Sequence, residues 1–363
     1  MLNFTLYYKA RGSKIKTGGN VLDDLKMIHE RDAQDLLGVA GKQASQLTHE
    51  FELQGDADLS GVQHIIYGAM GGSAVPALFV SSWPGTSVPF AVVRGYDLPA
   101  YVGTHTLFIA ASFSGNTEET LEAVAQAEAR GAKIAVITNG GKLQQLAEAK
   151  GYTLAVLPKC FPRLSLWYSV RALLQILEKA GAVTGDFRTE LAAAEAMLEQ
   201  EVTAWGPESG TSANAAKQLA QELMGKSIVV YSGPKLSPVA YKWKLGFNEN
   251  AKQIAWVNQY PELNHNEFTG WSKQPVDKPY AVIELRSSLE HPRIQKRFEV
   301  TERLLSGIRP SPLVVDAEGE SLLTQLVWSA VLGDFVSVYL ALLNGLNPAP
   351  LELVDKLKQA MSA

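Results

Sequence analysis

Three hydroxyls crowd into one short stretch of this 363-residue chain: Ser112, Ser114 and Thr117, interleaved with Gly115 and Asn116. They follow the apolar run 107–111 and precede Glu118 and Glu119. That order predicts a buried strand, a polar loop and a helix start. The first N–H groups of a helix lack partners and its dipole is positive there, so such a loop suits a bound anion. A helix cap requires one hydroxyl, and this loop offers three. A second loop, 68–73, follows a predicted strand at 64–67. In it Gly71 and Gly72 permit close backbone approach, and Ser73 adds a donor. Ser73, Ser112, Ser114 and Thr117 therefore read as a phosphate cradle. The competing reading is a capped turn, with the glycines packing a helix tightly on a strand. A dinucleotide fingerprint is not met: the glycine spacing is wrong, and the second strand ends at Arg94, not at an acid.

A second set of residues suits proton transfer. Glu249 is expected near a helix C-terminus, where the negative end of the dipole raises a carboxyl pKa towards that of a neutral-pH base. A solvated surface carboxylate is the plainer reading, and the sequence alone favours it. His265 lies between Asn264 and Asn266, which could fix its tautomer for acid–base work. One His with Glu267 is a poor metal set. Arg163, after Phe161 and Pro162, could clamp a developing oxyanion. His64, His105, His291 and Cys160 read as structural, His29 and His49 as structural or solvated, and the tryptophans as core or interface residues.

The elements that must hold these groups alternate. Strands are expected at 64–67, 88–93, 106–111, 133–138 and 153–156, with helices between them and a helix over 163–180. Two helices, 190–202 and 212–224, lead to a second series. Its strands are 228–231, 254–257, 280–285 and 313–315, and its helices include 292–305, 321–343 and 351–361. Residues 1–20 read as an irregular arm and 21–51 as one helix. Alternation of this kind implies α/β architecture with parallel strands, right-handed crossovers and helices on both faces. Ligands bind such sheets off the carboxyl ends of the strands, where both small-residue loops fall.

Composition narrows the function classes. A net charge of −4 without a basic run argues against nucleic acid as the main partner. A single cysteine leaves no internal disulfide or cysteine-based metal site, which fits a reducing, cytoplasmic setting. No signal-peptide layout is visible at the N-terminus. The apolar stretch 327–346 is interrupted by Asp334 and Asn344, and is expected to be a buried helix and not a membrane span.

Taken together, these stretches resemble the sugar isomerase (SIS) domain superfamily, and within it the bifunctional phosphoglucose/phosphomannose isomerases. The resemblance runs over Gly71-Gly72-Ser73, the stretch 112–120, Pro162-Arg163, Asn248-Glu249-Asn250-Ala251-Lys252, the stretch 263–267, Gly333-Asp334, 337–341 and Leu357-Lys358. It implies two SIS-type subdomains, each a parallel β-sheet flanked by helices on both faces, at 61–185 and 186–363, after an arm and helix at 1–60. It implies that Ser73, Ser112, Ser114 and Thr117 hold a sugar phosphate, with Gly71 and Gly72 supplying backbone contact. Glu249 would move the proton between C1 and C2, and Arg163 would steady the enediolate. His265, supplied across a homodimer interface, and Lys358 would open the sugar ring. No metal or cofactor is expected. The implied activity is aldose–ketose isomerisation of hexose 6-phosphates. A sugar-phosphate sensor or an isomerase of another phosphosugar are the alternatives.

Overall fold

The computed structural model describes residues 21–183, 185–272 and 279–361. The expected arm at 1–20 lies outside them. The first described segment is not one helix. It runs α1 (Leu25–Arg31), α2 (Leu36–Gly41) and short 3₁₀ turns. Asp32 causes the break: its buried carboxylate accepts the N–H groups of Leu36 (2.8 Å) and Leu37 (2.9 Å) and starts a second helix. Periodicity registers the apolar stripe and not this side chain's competition for backbone donors.

The first α/β unit contains β1 (His64–Ala69), α3 (Val75–Ser82), β2 (Phe90–Val93), β3 (Thr106–Ser112), α4 (Glu118–Ala129), β4 (Lys133–Thr138), α5 (Gly141–Lys150), β5 (Thr153–Val156) and α6 (Leu166–Lys179). After α7 (Phe187–Trp205) and α8 (Ala215–Leu223) comes the second unit. It contains β6 (Ser227–Ser232), α9 (Ser237–Glu249), β7 (Ala255–Gln259), α10 (Glu267–Trp271), β8 (Tyr280–Arg286), α11 (Pro292–Leu304), β9 (Leu313–Asp316), α12 (Leu322–Leu343) and α13 (Glu352–Met361). The sheets order as β2-β1-β3-β4-β5 and β7-β6-β8-β9, and every pairing is parallel.

Side-chain alternation divides each sheet between two cores. In β3, Leu107 and Ile109 face a large core that continues into the second unit, whereas Phe108 and Ala110 face a smaller one under α4 and α5. Ile228 and Val230 of β6 join the large core, and Val229 and Tyr231 pack on Phe298 of α11 and Trp271 of α10. The two units thus share one apolar interior, where α3 of the first meets α9 of the second. Helix α12 runs through that interior. It is long and apolar enough to cross a membrane, yet 94% of its most apolar window is buried within the protein.

Two contacts between α12 and α9 set where the second helix ends. Trp243 donates its indole N–H to the Ser329 carbonyl (2.8 Å), and the indole lies against Gly333. A Cβ on Gly333 would meet Trp243 Nε1 at 2.2 Å. Gly333→Ala is therefore expected to lower stability by about 1–3 kcal/mol through overpacking. A urea unfolding curve unchanged from wild type would show that α9 and α12 yield more easily than this contact implies.

Candidate active site

Strands β1 and β3 are neighbours, with Ala69 paired to Ala111, so the loops after them meet at the carboxyl edge of the first sheet. Ser112 is buried at the end of β3, and its Oγ lies 2.7 Å from Thr117 Oγ1. Thr117 occupies the N-cap position of α4 but makes no capping bond, because its hydroxyl is turned to Ser112. The amino end of α4 is thereby left without a side-chain cap. Ser112 Oγ also accepts the Gly115 N–H (3.1 Å), Ser114 Oγ accepts the Asn116 N–H (3.3 Å), and Ser73 Oγ accepts the Phe113 N–H (3.3 Å). All four predicted hydroxyls belong to one connected pair of loops.

The glycines separate by role. Gly68 lies within β1, and a Cβ there would strike the ring of Phe108 on the adjacent β3 at 2.4 Å, so that glycine makes room for a neighbouring strand's side chain. Gly71 and Gly72 have nothing within 4 Å of where a Cβ would stand, and Gly71 has φ +52°. The packing explanation fails for this pair, which borders open space as a ligand approach would require. Gly115 has φ +67°, and a Cβ there would lie 1.7 Å from the Gly140 carbonyl oxygen. The hydroxyl loop is thus pressed against the loop after β4. The equivalent place in the second sheet is filled from within. The buried carboxylate of Glu290 accepts the Lys235 N–H (2.8 Å) after β6, and a Cβ on Gly233 would meet it at 2.2 Å.

The turn at Gly71–Ala74 packs against the turn at Pro162–Leu164, which carries Arg163. Arg163 Nη2 donates to the carbonyls of Pro348 (3.2 Å) and Ala349 (2.9 Å). Its Nε stands 3.8 Å from Glu249 Oε2 and, although buried, has no hydrogen-bond partner. A buried donor without an acceptor is costly, and an oxygen of a bound anion would satisfy it. Glu249 is the last residue of α9, with 28% of its side chain exposed, so the solvated-surface reading is wrong. Its carboxyl is raised above its ordinary value chiefly by burial, opposed by Arg163, Lys242, Lys244 and Lys252. Burial, not the helix end alone, prepares this group to take up a proton nearer neutrality.

Helix α9 runs back along the second sheet, so Glu249 lies at that sheet's amino edge, facing the carboxyl edge of the first. The carboxyl-edge rule accounts for the hydroxyl loops and not for Glu249. The chain does not bring His265 to this crevice. His265 is exposed in the turn after β7, whereas Glu249 lies before that strand, about 16 Å away along it. Asn264 bonds Thr301 and Arg297, and Asn266 bonds Glu262 and the Glu267 N–H, so neither fixes the histidine's tautomer. Lys358 is exposed on α13, which begins just past the 347–349 turn that receives Arg163. Of the three histidines read as structural, His64 Nε2 lies 2.7 Å from Thr106 Oγ1 and His291 caps α11, whereas the His105 side chain is exposed.

Sequence reasoning gave no role to Lys242, Gln43 or Asp334. Asp334 is buried in α12, paired with Lys242 and accepting a bond from Gln43 Nε2 (2.9 Å). The available signal was a lone acid in an apolar helix, which demands a buried cation.

Matches to known proteins follow this geometry. An SIS domain model fits residues 58–169, and the model described as the bacterial phospho-glucose isomerase C-terminal SIS domain fits residues 212–361. Two parallel α/β units sharing a core, with an open hydroxyl loop on the first, are the build of a double SIS-domain protein. A bifunctional phosphoglucose/phosphomannose isomerase of Aquifex aeolicus is 32% identical over 318 residues, covering 86% of this chain and 95% of that one. The chain belongs to the bifunctional phosphoglucose/phosphomannose isomerase family. A D-glucosamine-6-phosphate 4-epimerase of Sulfolobus acidocaldarius is 34% identical over 60% of this chain and 68% of that one. In fold, the chain is similar to a glucose-6-phosphate isomerase like protein from Thermus thermophilus. The TM-score is 0.63 at 19% identity, covering 92% and 99% of the two chains.

The raised carboxyl of Glu249 has a consequence for stability. The folded chain retains a proton that the unfolded chain loses near the ordinary value of 4.5. Native stability therefore falls as pH rises from there through the raised folded value. Glu249→Gln has no such proton, so its stability relative to wild type should improve across that window and level off above it. Denaturant unfolding of both proteins at a series of pH values checks this, and a pH-independent difference would count against it.

Proposed function

We propose that this protein interconverts hexose 6-phosphates by aldose–ketose isomerisation, between glucose 6-phosphate or mannose 6-phosphate and fructose 6-phosphate, without a metal. The observation that carries the reading is the pairing of Glu249, a carboxylate raised by burial, with an Arg163 Nε that has no acceptor, beside the hydroxyl loops.

In this reading Ser73, Ser112, Ser114 and Thr117 hold the phosphate with backbone N–H groups of the open Gly71-Gly72 turn. That anchor fixes C1 and C2 of the opened sugar near Glu249. Glu249 takes the proton from the carbon next to the carbonyl. Negative charge then develops on the carbonyl oxygen, and the Arg163 guanidinium meets it. Returning the proton to the neighbouring carbon, as the hydroxyl proton passes from the neighbouring oxygen to the former carbonyl oxygen, completes the exchange. A planar enediol can be reprotonated without reference to the original C2 configuration, which suits a site accepting both glucose and mannose phosphates.

His265 and Lys358 serve ring opening. Because His265 stands at the far end of β7 from its own Glu249, it serves the site of a second copy in a homodimer. The edge strand β7 supports an interface there: Ile254 beside it and Trp256 on it are 59% and 48% exposed. The similarity to a 4-epimerase motivates a second reading, in which another phosphosugar is the substrate.

The first experiment is conversion of fructose 6-phosphate by the purified protein with EDTA present, resolving glucose 6-phosphate from mannose 6-phosphate. Formation of both is expected. If neither forms and glucosamine 6-phosphate is consumed instead, the second reading replaces the first. Glu249→Gln should keep phosphosugar binding while kcat falls on the order of 10²–10⁴-fold. Glu249→Gln and His265→Ala should each be inactive alone, and co-refolding them should restore activity through hybrid dimers carrying one intact site. Failure to complement would place His265 outside the shared site.

A further inference from the structure

Lys252 lies three residues beyond α9, in a backbone conformation lysine seldom adopts, with φ +51°. Helices often end on a left-handed residue, but that residue is usually glycine, because a Cβ makes the conformation costly. Here it turns the chain back so that the Gln253 N–H reaches the Phe247 carbonyl (3.1 Å). Asp35, the other non-glycine residue with positive φ among the described residues, uses its carboxylate to cap α2. The Lys252 side chain has an equally definite use.

Although the residue is exposed, its ammonium folds back onto three carbonyls: Asn250 (3.3 Å), Asn347 (3.2 Å) and Pro348 (2.9 Å). An ammonium has three donors, and each finds an acceptor. The Pro348 carbonyl is also held by Arg163 Nη2 (3.2 Å). Two cations from different parts of the chain thus converge on one oxygen. The 347–349 turn is fastened to the end of α9 on one side and to the Arg163 guanidinium on the other.

We propose that Lys252 is a positioning residue for the isomerisation: it locks the 347–349 turn against the end of α9 and thereby sets where Arg163 stands relative to Glu249. The proposal rests on the roles given above to those two residues. It also explains why the left-handed position is not glycine, since glycine would ease the backbone and release the turn.

The local charges come from several elements. Arg163, Lys242, Lys244 and Lys252 all favour the ionised form of Glu249. Lys252 faces Arg163, Glu249 and Glu352 of α13, and Asp334 of α12 acts on Arg163. Removing Lys252 subtracts one of the cations that hold Glu249 ionised, so the acid limb of the pH–rate profile should move to higher pH.

The test compares Lys252→Gly with Lys252→Ala. Glycine relieves the left-handed strain and alanine does not, so the glycine variant should melt at or above the wild-type temperature and the alanine variant below it. A positioning role predicts that both lose kcat alike, by roughly ten- to hundredfold, whatever their stability, with the acid limb shifted upward in both. A merely structural role predicts that activity follows melting temperature, with the kcat of the glycine variant equal to that of wild type. That result would overturn the proposal. Wild type and Glu249→Gln are assayed in parallel. An inactive wild type, or an active Glu249→Gln, would instead refute the roles of Glu249 and Arg163, and so separates that failure from this one.

Discussion

A buried acid in an apolar helix governs the arrangement of the site. Asp334 sits in α12 with almost no exposure, and Lys242 of α9 supplies its counter-charge while Gln43 binds its other oxygen. Removing one partner of such a pair leaves an uncompensated charge in the interior, at a cost of about 3–5 kcal/mol. The pair therefore fixes which face of α9 meets α12. Lys242 and Glu249 are seven residues apart, two helical turns, and so share a face. Pinning Lys242 to Asp334 directs Glu249 towards Arg163. Asn250, donating to Ser337 Oγ (2.9 Å), repeats the fastening at the helix end.

The two α/β units are built alike but used differently. On the first sheet the carboxyl edge opens into loops where Gly71 and Gly72 border open space and the Ser112 and Thr117 hydroxyls bond each other. On the second, the corresponding loop is closed by the protein's own carboxylate, Glu290. That unit contributes its opposite edge, where α9 ends. A positive helix start on one unit thus faces a helix end on the other, which in the proposed reading would serve as the anion-binding and proton-transfer sides of the crevice. The shared core holds the two at a fixed separation. Burial then makes two incompatible demands on the groups between them: Glu249 is pushed towards its neutral form and Arg163 away from its charged one, and each opposes the shift in the other. In the proposed reaction, an anionic intermediate would relieve the guanidinium's unmet donor as the carboxylate becomes protonated.

Much of this was legible in the chain itself. The run 107–111 ending in three hydroxyls marked a buried strand and its loop, and β3 is buried along its whole length. Asp334 within the apolar stretch marked a helix that is internal, and α12 is. What misled was local chemistry acting through one side chain. Asp32 split an apparent single helix, and Asn264 and Asn266 found partners other than His265. Gly71 and Gly72 could not be told from Gly68, since all three lie in one glycine-rich run and only the fold places Gly68 inside β1 against Phe108.

By itself, the sequence determined the alternation of strands and helices, the parallel sheets, the hydroxyl loop and the chemical types available for catalysis. These depend on periodicity and on bonds between residues close in the chain. Only the tertiary structure decided that Glu249 is half-buried, that it faces Arg163 across 86 positions of sequence (249 − 163), and that the 347–349 turn gathers Arg163 and Lys252 onto one carbonyl. Burial and long-range electrostatics depend on which surfaces meet. No local pattern encodes that a helix end at one sheet's amino edge will close against the carboxyl edge of another.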